Sequence, residues 1–185
     1  MFTPPLTIPT VSGSTVTLRP FRASDLDAVV EASTDPLIPL ITTVPPVVDR
    51  GLAATFLDRQ HERAMTGAGY SLAIEAGGRC VGQIGLWLRD LDQGRATIGY
   101  WIRPSARHRG FAGDALSTLS QWALTIPEVH RLQLYIEPRN EASWRTAERA
   151  GYEREGLLRS WEVVGNERRD MYMYAAVRSP GDGRG

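Results

Sequence analysis

From Ile98 to Arg103 the chain alternates. Ile98, Tyr100 and Ile102 fall on one side and Gly99, Trp101 and Arg103 on the other, a period of two that predicts a strand. Pro104 stops it. Apolar residues then return at helical spacing (Phe111, Ala115, Leu116, Leu119, Trp122, Ala123), predicting a helix from Gly110 to near Thr125, before Pro127.

The same reading gives the other elements. Val16 to Arg19 is predicted as the first strand. A helix follows from Ala23 or Ser24 to about Ser33, with Asp25 and Asp27 in its first turn and Leu26, Val29 and Val30 facing inward. Asp35 to Pro46 holds four prolines and is expected to be non-helical; its apolar content suits a loop on the core or a pocket wall. Asp49 is placed to cap a helix reaching about Met65, with Leu52, Phe56 and Leu57 on its buried side and Gly67 and Gly69 at its end. Tyr70–Ala76 and Arg79–Leu88 flank Gly77-Gly78, a hairpin signal, and a second hairpin turns at Asp92-Gln93-Gly94. Arg131–Ile136 is a strand closed by Pro138. Asn140 to Arg149 is a helix with Asn140 as N-cap and Gly151 as stop. Tyr152–Val163 and Arg168–Val177 form a pair around Gly165-Asn166. The order β-α-α-β-β-β-α-β-α-β-β predicts an α/β fold on a largely antiparallel sheet. Residues 1–14 are expected to be a flexible segment, 15–178 one domain and 179–185 a disordered tail.

With 185 residues, 42% of them hydrophobic, the chain suits one well-filled core. Lys+Arg and Asp+Glu are both 21, so no general attraction to nucleic acid or anionic membranes is expected. A single cysteine, Cys80, excludes an intramolecular disulfide and is read as a core thiol. The N-terminus has neither a basic region nor an apolar run of signal type, and no segment is long and apolar enough to span a bilayer, so a cytoplasmic protein is expected. No His/Cys/Asp cluster has metal spacing.

Candidate chemistry concentrates after the Ile98 strand. A small-residue loop that opens into a helix leaves backbone N–H groups unpaired, and with the helix dipole they favour an anion, above all a phosphate. Gly110, Ala112 and Gly113 allow close approach, and Arg107, His108 and Arg109 bring donors to the mouth. The chain contains neither GxxxxGK[ST] nor GxGxxG, which excludes a P-loop and a dinucleotide fingerprint.

Three stretches, in order, resemble the GNAT acyltransferases, and within them the RimJ/RimL group. They are Arg107-His108-Arg109-Gly110-Phe111-Ala112 after IGYWIRP, Asn140-Glu141-Ala142-Ser143 followed by Gly151-Tyr152, and LRPFRASDLDAV from Leu18. The likeness spans about Leu18 to Val177. It implies a GNAT fold: a mostly antiparallel mixed sheet with a central splayed strand pair and helices on both faces. It implies acetyl-CoA or another acyl-CoA as co-substrate, no metal, and an amine-bearing peptide or small molecule as acceptor. The backbone of Trp101, Ile102 and Arg103 would pair with the pantetheine arm. The amides of Arg109, Gly110, Phe111, Ala112 and Gly113 would hold the pyrophosphate, with Arg107 and His108 also binding the co-substrate at the mouth. Asn140 would contact the pantetheine or thioester region. Ser143, one turn on, would bind there too and serve as the catalytic proton donor to the leaving thiolate.

The pattern departs from many relatives at the start of the splayed strand, where Ala96 and Thr97 stand in place of an acid. Glu75, Asp35 and Asp90 are the candidate bases. Glu137 is read as structural, His61 and His130 as surface residues, and His108 as part of the phosphate loop. The leading reading is transfer of acetyl to a primary amine. The alternatives are transfer from succinyl-CoA or another donor, and an acyl-CoA sensor without turnover. A homodimer through the strands near Tyr172 and Tyr174 or the Trp161 region is a further expectation.

Overall fold

The Gly77-Gly78 hairpin is the centre of an eight-stranded sheet. In the computed structural model, which describes residues 4–178, the strands are β1 (Val11–Ser12), β2 (Thr17–Arg19), β3 (Gly69–Ala76), β4 (Arg79–Trp87), β5 (Arg95–Ile102), β6 (Arg131–Ile136), β7 (Glu153–Val164) and β8 (Glu167–Val177). Their order is β1-β2-β3-β4-β5-β6-β8-β7, and every neighbouring pair is antiparallel except β5 with β6. The helices are α1 (Leu26–Ala32), α2 (Ile38–Ile41), α3 (Arg50–Thr66), α4 (Phe111–Thr125) and α5 (Glu141–Arg149).

Strand alternation divides the core between the two faces. Leu72 and Ile74 point to one face, where Leu116 and Leu119 of α4 and Ala147 of α5 complete a buried cluster. Ala73 points to the other, where Phe21, Val29, Ala53, Phe56 and Leu57 pack with Cys80 and Trp101. Phe56 lies edge-on to Phe21 at 6.2 Å and tilted against Trp101 at 6.5 Å. Burial pushes the Cys80 thiol up to about 12, and it donates to the Gly82 carbonyl, so it is an inert core group.

Several boundaries differ from the pattern-based expectation. Val16–Arg19 is not the first strand: Val11–Ser12 pairs ahead of it, and Leu6 is buried. Residues 1–3 and the whole expected tail, 179–185, lie outside the described residues. The proline-rich linker forms one helical turn, α2, because Pro39 falls in the first turn, where no N–H partner is lost. Leu52 is 45% exposed; the buried side of α3 runs instead through Ala53, Phe56, Leu57, Gln60 and Ala64. Tyr174 is fully buried and Tyr172 half-buried within the chain. Among the described residues no helix is long and apolar enough to cross a membrane.

Candidate active site

The site begins where two strands part. β5 pairs with β6 only from Arg95 to Thr97, opposite Arg131 to Gln133, although β5 continues to Ile102 and β6 to Ile136. β5 stays paired with β4 throughout. The Arg103 N–H donates to the Val81 carbonyl, which fixes the phase of that ladder. Backbone groups of alternate residues point to opposite neighbours. Trp101 therefore directs its amide at β4, whereas the amides of Tyr100 and Ile102 face the gap. Of the three residues expected to offer backbone groups there, Trp101 is thus turned away, and Arg103 donates to Val81. The amide of Tyr100 replaces them, a role that spacing alone could not assign.

At one end of the gap lies the glycine loop. α4 starts at Gly110 (φ 80°) with no side-chain cap, so its first-turn amides are exposed donors at the positive end of the helix dipole. A methyl group added at Gly110 or Gly113 would meet nothing within 4 Å, so space is open beside these residues. His108 is also left-handed, with φ 62°. Arg107 is not free at the mouth. Its guanidinium pairs with Asp35 at 2.7 Å and donates to the Ile102 carbonyl at 3.2 Å, so it braces the loop against the turn after α1. Glu31 adds a second brace, accepting from the Ser105 N–H at 2.7 Å and from Arg103 at 3.2 Å.

At the other side stand Asn140 and Ser143. The Asn140 side chain accepts from the Ser143 N–H at 3.2 Å and caps α5, as its position predicts. The Ser143 hydroxyl lies 3.0 Å from the Tyr100 hydroxyl, which also donates to the Ser143 carbonyl at 3.2 Å. Burial holds the Tyr100 phenol above its ordinary range, so it stays protonated.

Gln83, Tyr100, Trp101, Asn140 and Ser143 line one cleft of about 700 Å³, together with Arg63, Trp87, Asp90, Tyr135, Glu137 and Trp161. Trp161 is half-exposed and stacks on Tyr135 at 5.5 Å, carried there by an irregularity of β7 at Ser160, whose φ is 52°. Beneath the cleft, Trp101 donates its indole N–H to Gln83 at 2.7 Å. Gln83 in turn donates to Ser71 at 2.7 Å, and Ser71 to Gln60 at 3.0 Å, all four being buried.

The three candidate bases separate. Glu75 is paired with Arg19 at 2.5 Å and with Arg22. Asp35 accepts from the Leu37 and Ile38 N–H groups and from Arg107. These bonds outweigh burial and hold its carboxyl below the ordinary range. Asp90 alone lines the cleft. Glu137 lines it too, but is buried and paired with Arg139 at 2.7 Å. His61 and His130 are exposed.

Comparison with known proteins gives a consistent result. Residues 15–153 match the family model described as an acetyltransferase (GNAT) domain. An uncharacterized N-acetyltransferase, p20, of Bacillus licheniformis is 25% identical over 165 residues, which are 88% of this chain and 93% of that protein. Among solved structures, RimJ of Mycobacterium smegmatis in complex with CoA-disulfide superposes with a TM-score of 0.79 at 23% identity, covering 95% of this chain and 90% of that one. The microcin C7 self-immunity acetyltransferase MccE, in complex with acetyl-CoA and AMP, superposes with the same TM-score of 0.79 at 20% identity, covering 89% and 93%.

Proposed function

Because the chain belongs to the acetyltransferase (GNAT) domain family, we propose that it transfers an acetyl group from acetyl-CoA to a primary amine, by direct attack of the amine on the thioester. One observation carries this reading. The β5–β6 gap joins an uncapped helix N-terminus at one end to the Tyr100–Ser143 hydroxyl pair at the other.

The residues present fit the co-substrate. The amides from Arg109 to Gly113 would take the pyrophosphate, with open space at Gly110 and Gly113 to admit it. The gap-facing amides of Tyr100 and Ile102 would pair with the pantetheine arm and offer a donor to the carbonyl oxygen as it gains charge. Asn140, besides capping α5, would contact the thioester region. Holding the amine and thioester in line is worth an effective molarity on the order of 10⁵ M or more.

Two proton movements complete the chemistry. The incoming amine must be neutral; Asp90, the one candidate base that lines the cleft, would take its proton directly or through water. The departing thiolate takes a proton from the Ser143 hydroxyl, which is resupplied through Tyr100. The structural reading of Ser143 as a residue that only bonds within α5 is weaker, since its hydroxyl lies against Tyr100 across the gap.

Free-thiol release from acetyl-CoA and from succinyl-CoA, each against a panel of peptides and small amines, tests the reading. The chain contains no lysine, so acetylation of its own side chains does not confuse the signal. Amine-dependent release from acetyl-CoA is the expected result. Tight coenzyme binding with no release from any pair would overturn it in favour of a sensor.

A further inference from the structure

The cleft contains a cation with no anion paired to it among the described residues. Arg63, on α3, is half-buried and lines the cleft. Among the described residues its guanidinium makes no hydrogen bond and no ion pair, and its Nη1 is shut off from solvent without a partner. Its one contact of note is with the face of Trp87, 5.0 Å from the ring centre. Burial, and to a lesser degree the repulsion of Arg59, push its pKa down. Buried charges in proteins are as a rule paired and hydrogen-bonded, because an unpaired one carries the whole desolvation penalty.

The position of this cation is built from below. On one face of the sheet, Gly85 of β4 lies opposite Gly99 of β5, and Trp87 lies opposite Thr97. The paired glycines leave a floor without side chains, and the Trp87 indole folds back over it. A methyl group at Gly85 would stand 2.7 Å from Trp87 Cη2, and one at Gly99 would stand 3.3 Å from Cζ3. Arg63 lies over the same indole, 5.0 Å from its centre, so Trp87 connects the guanidinium to this glycine floor. Asp90, whose carboxylate has no ion pair among the described residues, lines the same cleft from the β4–β5 turn.

We infer that Arg63 receives a carboxylate of the acceptor, so that the substrate is a small amine carrying a carboxylate, of amino-acid type. A planar guanidinium matches a carboxylate in a two-bond fork. Asp90, which lines the same cleft, suits the ammonium end of the same molecule. Glu137 and Glu162 also line the cleft with Asp90, as does Arg89, and three acids disfavour a doubly charged phosphate there more than a singly charged carboxylate. This inference rests on the amine-acetyltransferase reading, and the experiment separates the two.

Amino acids and their carboxamides, identical except for the carboxylate, are compared as acceptors by thiol release and by calorimetric binding to the CoA-loaded protein. Wild type, Arg63→Gln and Arg63→Lys are used. The expected result is at least a tenfold preference for carboxylates. Arg63→Gln abolishes it through a raised KM for the carboxylate alone, and Arg63→Lys restores part of it. The thermal midpoint of Arg63→Gln is expected to be unchanged or higher, since an unpaired cation has been removed. Equal use of both acceptors by wild type, or an equal loss on both in Arg63→Gln, overturns the inference and leaves the transferase reading intact. Arg63-dependent carboxylate binding without thiol release overturns the transferase reading and keeps the inference. Neither binding preference nor release overturns both.

Discussion

The Tyr100 hydroxyl and the Ser143 hydroxyl lie 3.0 Å apart, one on the strand that parts from β6 and the other on the helix across the gap. The pair forms a short relay in which either oxygen can donate, and burial keeps the phenol protonated. A general acid of this kind contributes roughly 10²–10⁴-fold. Ser143→Ala is expected to lower kcat by about 10²-fold with little change in coenzyme affinity. Tyr100→Phe keeps the ring and removes only the resupplying hydroxyl, so a smaller fall of about tenfold is expected. Steady-state kinetics with coenzyme binding measured separately checks both, and an unchanged kcat in both variants would remove the relay from the mechanism.

The glycine loop can be tested without disturbing the fold. Space is open at Gly113, in the first turn of α4. An aspartate there is favourable for the helix itself, since negative charge suits its N-terminus. Against a bound pyrophosphate the same charge is repulsive by on the order of 1–4 kcal/mol. Gly113→Asp is therefore expected to keep or raise the thermal midpoint while weakening CoA binding at least about tenfold. Calorimetric titration with CoA reads this directly.

Asp114, the next residue, has a structural role. Its carboxylate accepts from the Ser14, Thr15 and Val16 N–H groups and from the Thr15 hydroxyl, tying the segment before β2 to α4. Burial opposes ionisation, but these bonds outweigh it and bring the pKa from 3.8 to about 2. The folded value lies below the unfolded one. The stabilisation is thus complete above the ordinary value of 3.8 and is lost as pH falls through about 2. Asp114→Asn is expected to cost about 1–3 kcal/mol at neutral pH. The difference between the two proteins should narrow on acidification through that window, as followed by denaturant unfolding.

Much of this was legible in the chain because it is local. Gly110 ahead of a helical pattern, Gly77-Gly78 between two strand patterns and Asn140 ahead of α5 each act within a few residues, and each appears where spacing places it. The family's three motifs extended this to the parting of β5 and β6. What stayed hidden depends on distant partners. Glu75 and Asp35 looked like free acids, but Arg19 and Arg107, 56 residues and more than 70 residues away respectively, have claimed them. Arg63 was one of many arginines on a helix until the fold set it over Trp87. Gln60, Ser71 and Gln83 gave no signal, because polar residues that satisfy one another in a core carry no periodicity.

That buried chain of side chains supports the last expectation. Gln83 Oε1 takes the Trp101 indole N–H at 2.7 Å, and its amide group donates to Ser71 and Gln60. Gln83→Leu keeps the approximate volume but strands the Trp101 donor and leaves Ser71 and Gln60 each short of a partner. Each buried group left unsatisfied costs about 1–3 kcal/mol. A loss of 2–3 kcal/mol corresponds to a fall of roughly 4–12 °C in thermal midpoint for a chain of this size. The conservative Gln83→Glu tests charge separately from shape, for it keeps an acceptor toward Trp101 but loses the donor toward Ser71. Because Trp101 sits on β5 between the two residues whose amides face the gap, loss of its anchor should also raise the KM for acetyl-CoA. A lowered midpoint with KM unchanged would confine the network to stability. An unchanged midpoint would mean that water or a rotated Gln60 replaces the missing partner.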